Sequence, residues 1–145
     1  MKWITRSHVH VDRVACPWLI ERFVDSEADI IFAADSLVEK TAREENAIPF
    51  DIEDAELGHH GDDCTFRAII NKYELTDPVL LRMAEIVNAA DTGDFKAHPY
   101  AAGLEALARG FSVMYPDDNE NLEWQFPVYD ALYAALKCEE KKVVI

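Results

Sequence analysis

No run of apolar residues in this 145-residue chain is long enough to span a bilayer, and residues 1–8 turn polar too soon for a secretory signal. Neither membrane insertion nor export is expected, and the chain reads as cytoplasmic. Basic charge is scarce, since 14 lysines and arginines stand against 28 aspartates and glutamates for a formal charge of -14. Such a surface repels phosphate backbones and anionic headgroups, so direct contact with nucleic acid or membrane is not expected. Cysteines number three, an odd count that implies no complete disulfide framework, and reduced thiols are the expectation. Repeats, linkers and low-complexity segments are missing as well. What remains is one domain over residues 1–145, 50% hydrophobic and able to build a sizeable core.

Its patterning predicts an α/β fold: a small N-terminal, mostly parallel sheet with crossover helices, followed by a helical C-terminal half. Trp3-Ile4-Thr5 has strand character, and apolar Trp18, Leu19, Ile20 and Phe23 recur at a roughly helical period over residues 17–24, with Pro17 suited to the first turn. Residues 29–33 form a short buried-strand candidate. Ser36 then caps a helix in which Glu39 completes a capping box. Ile48-Pro49-Phe50-Asp51 is a third strand, its proline favouring an edge or a strand start. Helices are expected over 65–73, over 78–90 after an Asp77 cap, and over 100–115 and 120–138. In the second of these Leu80, Leu81, Ala84 and Val87 make one stripe, and the turn Asp91-Thr92-Gly93-Asp94 ends it. The tail, residues 141–145, has strand propensity.

Chemistry concentrates in Gly58-His59-His60-Gly61-Asp62-Asp63-Cys64, where imidazole, carboxylate and thiol crowd between glycines that let the backbone turn tightly. In open α/β sheets ligands bind beyond the carboxyl ends of the strands. Asp12 follows the first strand, Asp51 ends the third, His59 and His60 come a short loop later, and Asp91 closes a helix that can return to the same edge. Asp12, Asp51, His59 or His60, and Asp91 are thus candidate ligands of a mixed oxygen and nitrogen site suited to Mn, Fe or Zn. The alternative is that Asp51 and Asp91 are turn and cap residues and the histidines hydrogen-bond within the loop. His8 and His10 alternate with valines as the polar face of an extended segment, and His98 precedes a proline in a turn.

A second constellation is Asp12-Arg13-Val14-Ala15-Cys16-Pro17-Trp18. If Pro17 takes the first helical position, Cys16 is at or near the N-cap, where free amides and the helix dipole favour a thiolate, and Arg13 adds positive charge for a small oxyanion. Cys16 and Arg13 are therefore the candidate catalytic pair. The alternative is a small buried cysteine beside an arginine that pairs with an acid. Cys64 is crowded by Asp62 and Asp63, which raise its pKa. A Cys16 to Cys64 redox pair needs adjacent helix starts, and Cys138 is incidental.

These motifs, together with Lys2-Trp3-Ile4-Thr5-Arg6 and Ile48-Pro49-Phe50-Asp51, resemble the C-terminal domain of the chromate resistance protein ChrB family, from the start to about the 91–94 turn. The resemblance implies a part in chromate resistance, with Asp12, Arg13, Cys16, His59, His60 and Cys64 as the functional surface. Full-length members are associated with chromate-responsive regulation; the basic, DNA-binding-like region they carry is not in this sequence. A fainter similarity is to DHH-type metal-dependent phosphoesterases, through His8, Asp12, Asp51, His59-His60 and Asp91 in that order, although Val14 stands where a further aspartate belongs.

Three functions follow. The first and favoured one is a metal- or oxyanion-binding accessory or sensor domain in chromate resistance. The second is a metal- or thiol-dependent enzyme, a chromate reductase or a hydrolase, and the third an acidic protein-interaction module. Expected partners are a metal ion or a small oxyanion, with a homo-oligomer compatible.

Overall fold

A computed structural model describes residues 1–61 and 63–141. The chain runs β1 (Lys2–Arg6), α1 (Val11–Leu19), β2 (Asp29–Ala33), α2 (Val38–Glu45), β3 (Ile48–Pro49), α3 (Thr65–Lys72), α4 (Pro78–Thr92), α5 (Ala101–Met114) and α6 (Asp118–Glu140). The three strands form one parallel sheet in the order β2-β1-β3, with Trp3 opposite Ile30 and Ile48. The expected fold is therefore present: a small parallel sheet with crossover helices, then a helical half. Pro49 lies in an edge strand, where its missing N–H breaks no ladder bond.

Alternation along β1 divides the core. Trp3 faces the large cluster built by α1, α3, α4, α5 and α6, while Ile4 faces a small one with Val38 and Ala42 of α2 and Ala47. A central strand covered on both faces carries charge only at its ends, Lys2 and Arg6, and its one buried polar side chain, Thr5, donates its hydroxyl to Phe50 O at 2.7 Å. At the far end, Trp18 packs with Phe23, Tyr129 and Tyr133, and its indole N–H donates to Asp130 Oδ1 at 2.8 Å, tying α1 to α6. Among the described residues no helix is long and apolar enough to cross a membrane.

Several local expectations need correction. α1 starts at Val11 rather than near Pro17, so Pro17 lies inside the helix and Cys16 is no N-cap residue. Burial of Val11, Val14, Ala15, Cys16, Trp18 and Leu19 on the core outweighs proline's missing donor, and the helix continues as a wider π turn, Ile20–Val24. The Ser36 capping box does not form: a 3-10 turn, Asp35–Leu37, leads into α2, whose N-cap Leu37 makes no side-chain cap. On α4 the buried stripe is Leu80, Met83, Ala84 and Val87, while Leu81 is exposed, one residue round from that face. Asp77 does cap α4, accepting from the Val79 N–H at 2.9 Å. His8 has a left-handed φ of 66° and so does not extend the strand, and His10 is the N-cap of α1. The tail beyond residue 141, read as a strand, lies outside the described residues.

Candidate metal centre

The site is built on the carboxyl edge of β1 and β3. Because these strands are parallel, the chain leaves both at the same edge, carrying Asp12 into the first turn of α1 and Asp51 just beyond β3. Both carboxylates are buried, Asp12 at 1% exposure and Asp51 at 3%. Asp51 adopts a left-handed φ of 51°, and its N–H donates to Leu57 O at 2.7 Å, closing the 51–57 loop on itself. Gly58 completes that closure: a Cβ there would stand 2.8 Å from Ile52 O and 3.1 Å from Ala55 O, so only glycine lets the loop pass. The next residue, His59, is thereby delivered to the carboxylates.

His59 Nε2 lies 3.1 Å from Asp12 Oδ2, 3.3 Å from Asp51 Oδ1 and 3.9 Å from Asp91 Oδ2. Asp91 comes from the last turn of α4, and the backbone amide of Asp12 at the start of α1 hydrogen-bonds to it, a favourable place for a carboxylate. The ligand atoms of Asp12, His59 and Asp91 all fall within 4.8 Å of one another. Asp51 touches His59 but is not part of that set. It accepts from Thr65 Oγ1 at 2.8 Å and faces the guanidiniums of Arg13 and Arg6 at 3.7 and 3.8 Å.

Among the described residues, three buried polar atoms here have no hydrogen-bond partner: Asp12 Oδ2, Arg6 Nε and Arg13 Nε. The His59 contact with Asp12 is thus a close charge pair without hydrogen-bond alignment. The other Asp12 oxygen is satisfied, accepting from Cys16 Sγ at 3.2 Å one helical turn on. Cys16 therefore orients Asp12 and leaves Oδ2 turned toward the histidine.

Titration follows from this crowding. The Asp12 carboxylate raises His59 from its ordinary 6.5 to about 9 against partial burial, and the charges of Asp51 and Asp91 add to it. Burial, then the Asp12 charge, lifts Asp51 from 3.8 to about 7, although Thr65, Arg13 and His59 oppose the shift. Asp91 is raised for the same two leading reasons. These are the signs expected where carboxylates share too few cations.

Several predicted site residues lie elsewhere. His60 is consecutive with His59 and points the other way, as neighbours in extended chain do; its Nε2 meets Glu56 O at 2.6 Å beside a separate cavity with Lys72. His8 is also outside, its N–H bound to Asp118 Oδ2 at 3.0 Å. Cys16 is fully buried, and burial followed by the Asp12 charge pushes its thiol well above its usual range, the opposite of an activated nucleophile. Arg13 does not attend a thiolate but faces Asp51 and donates to His8 O at 2.8 Å. Cys64 is raised to about 11, with burial first and the Asp12 charge second rather than its adjacent acids; Asp62 lies outside the described residues. Neither thiol is paired in a disulfide. His98 Nδ1 accepts from the Tyr100 N–H at 3.1 Å, a turn contact as expected.

Arg6 and Thr65 were not foreseen. Arg6 ends β1 as Asp51 follows β3, so the strand-edge argument applied to Asp12 reaches it too; a buried threonine on the first turn of α3 carries no comparable signal. Beside the cluster an open cavity of about 370 Å³ is lined by Arg6, Asp51, Ile52, Glu53, Asp54 and His59. A larger groove of about 460 Å³, around Glu21, Arg22, Asp29 and Phe126, contains none of the clustered carboxylates or histidines.

Protein ChrB of Cupriavidus metallidurans (strain ATCC 43123 / DSM 2839 / NBRC 102507 / CH34) is 32% identical over 142 residues, which cover 97% of this chain and 42% of that protein. The chain thus spans less than half the length of the relative it matches. No solved structure matches it significantly. The family model described as ChrB, C-terminal domain, matches residues 3–136, so the likeness runs past the 91–94 turn, through α5 and most of α6. With nearly the whole domain aligned, the chain belongs to the ChrB C-terminal domain family.

Proposed function

We propose that this domain binds one divalent transition metal, Mn, Fe or Zn, through Asp12, His59 and Asp91, and serves as an accessory or sensor domain in chromate resistance, the setting its family implies. The observation that carries this reading is Asp12 Oδ2: a carboxylate oxygen that is buried, lacks a hydrogen bond and faces an imidazole nitrogen. A buried carboxylate oxygen met only by a part-exposed imidazole, with no aligned hydrogen bond, is under-compensated, and a divalent ion that takes the place of the His59 proton would serve both groups. Spacing supports the same reading. Ligand atoms about 2.0–2.2 Å from an ion lie roughly 3.0–3.6 Å apart, close to the 3.1 and 3.9 Å separations of His59 from Asp12 and Asp91. Two carboxylates and one imidazole suit borderline divalent ions rather than thiophilic ones. When bound, such an ion supplies a Lewis-acidic centre with positions left for an outside ligand. Cys16 and Thr65 hold the Asp12 and Asp51 carboxylates in orientation.

One observation favours an oxyanion as that outside ligand. Among the described residues the buried Nε–H groups of Arg6 and Arg13 have no acceptor, and their terminal guanidinium nitrogens lie 3.8 and 3.7 Å from Asp51, too far for good hydrogen bonds. Elemental analysis of protein purified without a histidine tag, followed by calorimetric titration with Mn, Fe and Zn after chelation, tests the reading. Near-stoichiometric metal that is lost in Asp12→Asn and His59→Ala is expected; no metal and no titration heat with any of the three ions would sink it.

A further inference from the structure

The reversal that carries the chain from β1 into α1 spans only His8 and Val9. Ser7 still extends the sheet, its N–H donating to Ala33 O at 2.8 Å, and His10 O already accepts the first helical bond of α1 from the Val14 N–H at 3.1 Å. Between them His8 holds its left-handed φ of 66°, a conformation that residues other than glycine seldom adopt. The turn therefore needs support from outside itself.

That support comes from Asp118, the first residue of α6 and 110 residues on from His8. Its Oδ2 accepts from the His8 N–H at 3.0 Å and its Oδ1 from the Val9 N–H at 2.9 Å. Successive amides in a turn of this kind form a concave seat for an anion, and here the anion is the chain's own carboxylate. The two carbonyls are met as well: Arg13 Nη2 donates to His8 O at 2.8 Å, and Ser112 Oγ of α5 donates to Val9 O at 3.1 Å. Every backbone polar group of His8 and Val9 is thus held by a side chain, both amides by Asp118.

The path of this turn sets where α1 begins. Asp12 lies in the first turn of that helix, and its amide in turn hydrogen-bonds to Asp91. Two of the three clustered groups are therefore referred to one two-residue reversal, whereas His59 arrives on the separate loop that Gly58 closes. We propose that Asp118 is a positioning residue for the metal centre: it sets Asp12 and Asp91 against His59 through the backbone of the turn, not through contact with the ion. This rests on the metal-binding reading above and gives the start of α6 a part in a site built at the sheet edge. A carboxylate suits the task because each oxygen takes one amide; asparagine keeps the shape but sets its own NH2 group against one of the two donors.

Calorimetric titration of the full chain with Mn, Fe, Zn and cobalt(II) tests this, cobalt being a divalent ion for mixed oxygen and nitrogen sites whose visible absorption reports ligand geometry. Asp118→Asn should weaken binding by about tenfold, shift the cobalt bands and speed amide exchange at Val9 and Asp12 in the metal-free chain. Asp118→Glu, which keeps both acceptor oxygens, should recover much of the loss. Asp117→Ala is the comparison: Asp117 caps the same helix, accepting from the Glu120 N–H at 2.9 Å, while the turn's amides go to Asp118. Its loss should lower the thermal midpoint and leave affinity and cobalt bands unchanged. If the wild type binds metal and Asp118→Asn binds equally well, or loses no more than Asp117→Ala, this proposal is overturned and the metal reading stands. A wild type that binds none of these ions removes the metal reading and this proposal together.

Discussion

The carboxyl edge of the sheet and the outer face of α5 break the inside-outside rule in opposite ways. At the edge, charge is buried: Asp12 and Asp51 are almost inaccessible, burial and then the Asp12 charge raise Asp51 and Asp91, and Asp12 raises His59. On α5, apolar surface is exposed: Val113 and Met114 lie mostly in water although polar residues would serve a solvent face better. Folding alone rewards neither arrangement. Buried carboxylates that outnumber the cations beside them and an exposed apolar seam each lose free energy until something binds, which makes both regions candidates for contact with a partner. The partner proposed for the edge is an ion, whereas exposed apolar surface rewards apolar contact.

The comparison breaks first at Asp12. Asp12→Asn keeps the shape but removes the charge, so metal affinity should fall by about a hundredfold or more while the metal-free thermal midpoint holds or rises, because repulsion with Asp51 and Asp91 is relieved. Calorimetry and a melting curve read both, and a collapse of the fold would instead make Asp12 structural. Proton competition is next. His59 is raised from 6.5 to about 9, so its contribution to metal-free stability is complete below about 6.5 and is lost as pH rises through 9. Asp51, raised from 3.8 to about 7, holds its proton more tightly in the folded chain, so its stabilising contribution fades as pH rises from about 4 to 7. Metal binding must displace the His59 proton, so affinity should increase by about tenfold per unit between pH 6 and 8, with proton release detectable in buffers of different ionisation heat. A flat profile would separate His59 from the ion.

Smaller effects sharpen the same contrast. Gly58→Ala pushes a methyl group against Ile52 O and Ala55 O, and overpacking of this sort should lower unfolding free energy by about 1–3 kcal/mol in urea. Cys16→Ala removes the Asp12 orienting bond and should weaken metal binding by about tenfold, with Cys16→Ser, which keeps a donor, recovering much of it. Slow modification of Cys16 by thiol reagents in the native protein should accompany this. His60→Ala should leave metal affinity unchanged within error, since its ring faces Glu56 and Lys72.

Much of the scaffold was legible before any coordinates. The strand at residues 29–33 and the α3–α6 helices appear within a few residues of their expected bounds, because period-two and period-3.6 patterns are local. What failed was the first helix. Pro17 is a start signal by local rules, yet α1 begins six residues earlier, since burial of five apolar side chains and Cys16 outweighs one absent hydrogen bond. That single shift converts Cys16 from a helix-cap thiol into a buried residue that orients Asp12. The histidine pair failed differently: spacing nominates His59 and His60 equally, and only the backbone at Gly58 determines which ring turns inward. Leu81 missed the core stripe for a similar reason, a rotation of one residue about α4.

Sequence alone determined the composition of the site and its position along the chain: acidic residues after strands, an imidazole loop between glycines, a family motif, and a charge of -14. These are properties of residue type and order. Tertiary structure decided which of those groups meet. It brought Asp91 from α4 to the start of α1, withdrew His60, added Arg6 and Thr65, and left one seam of α5 uncovered. Convergence depends on how parallel strands and packed helices fold back in space, and the periodicity of any one segment carries no information about the direction in which its neighbour returns.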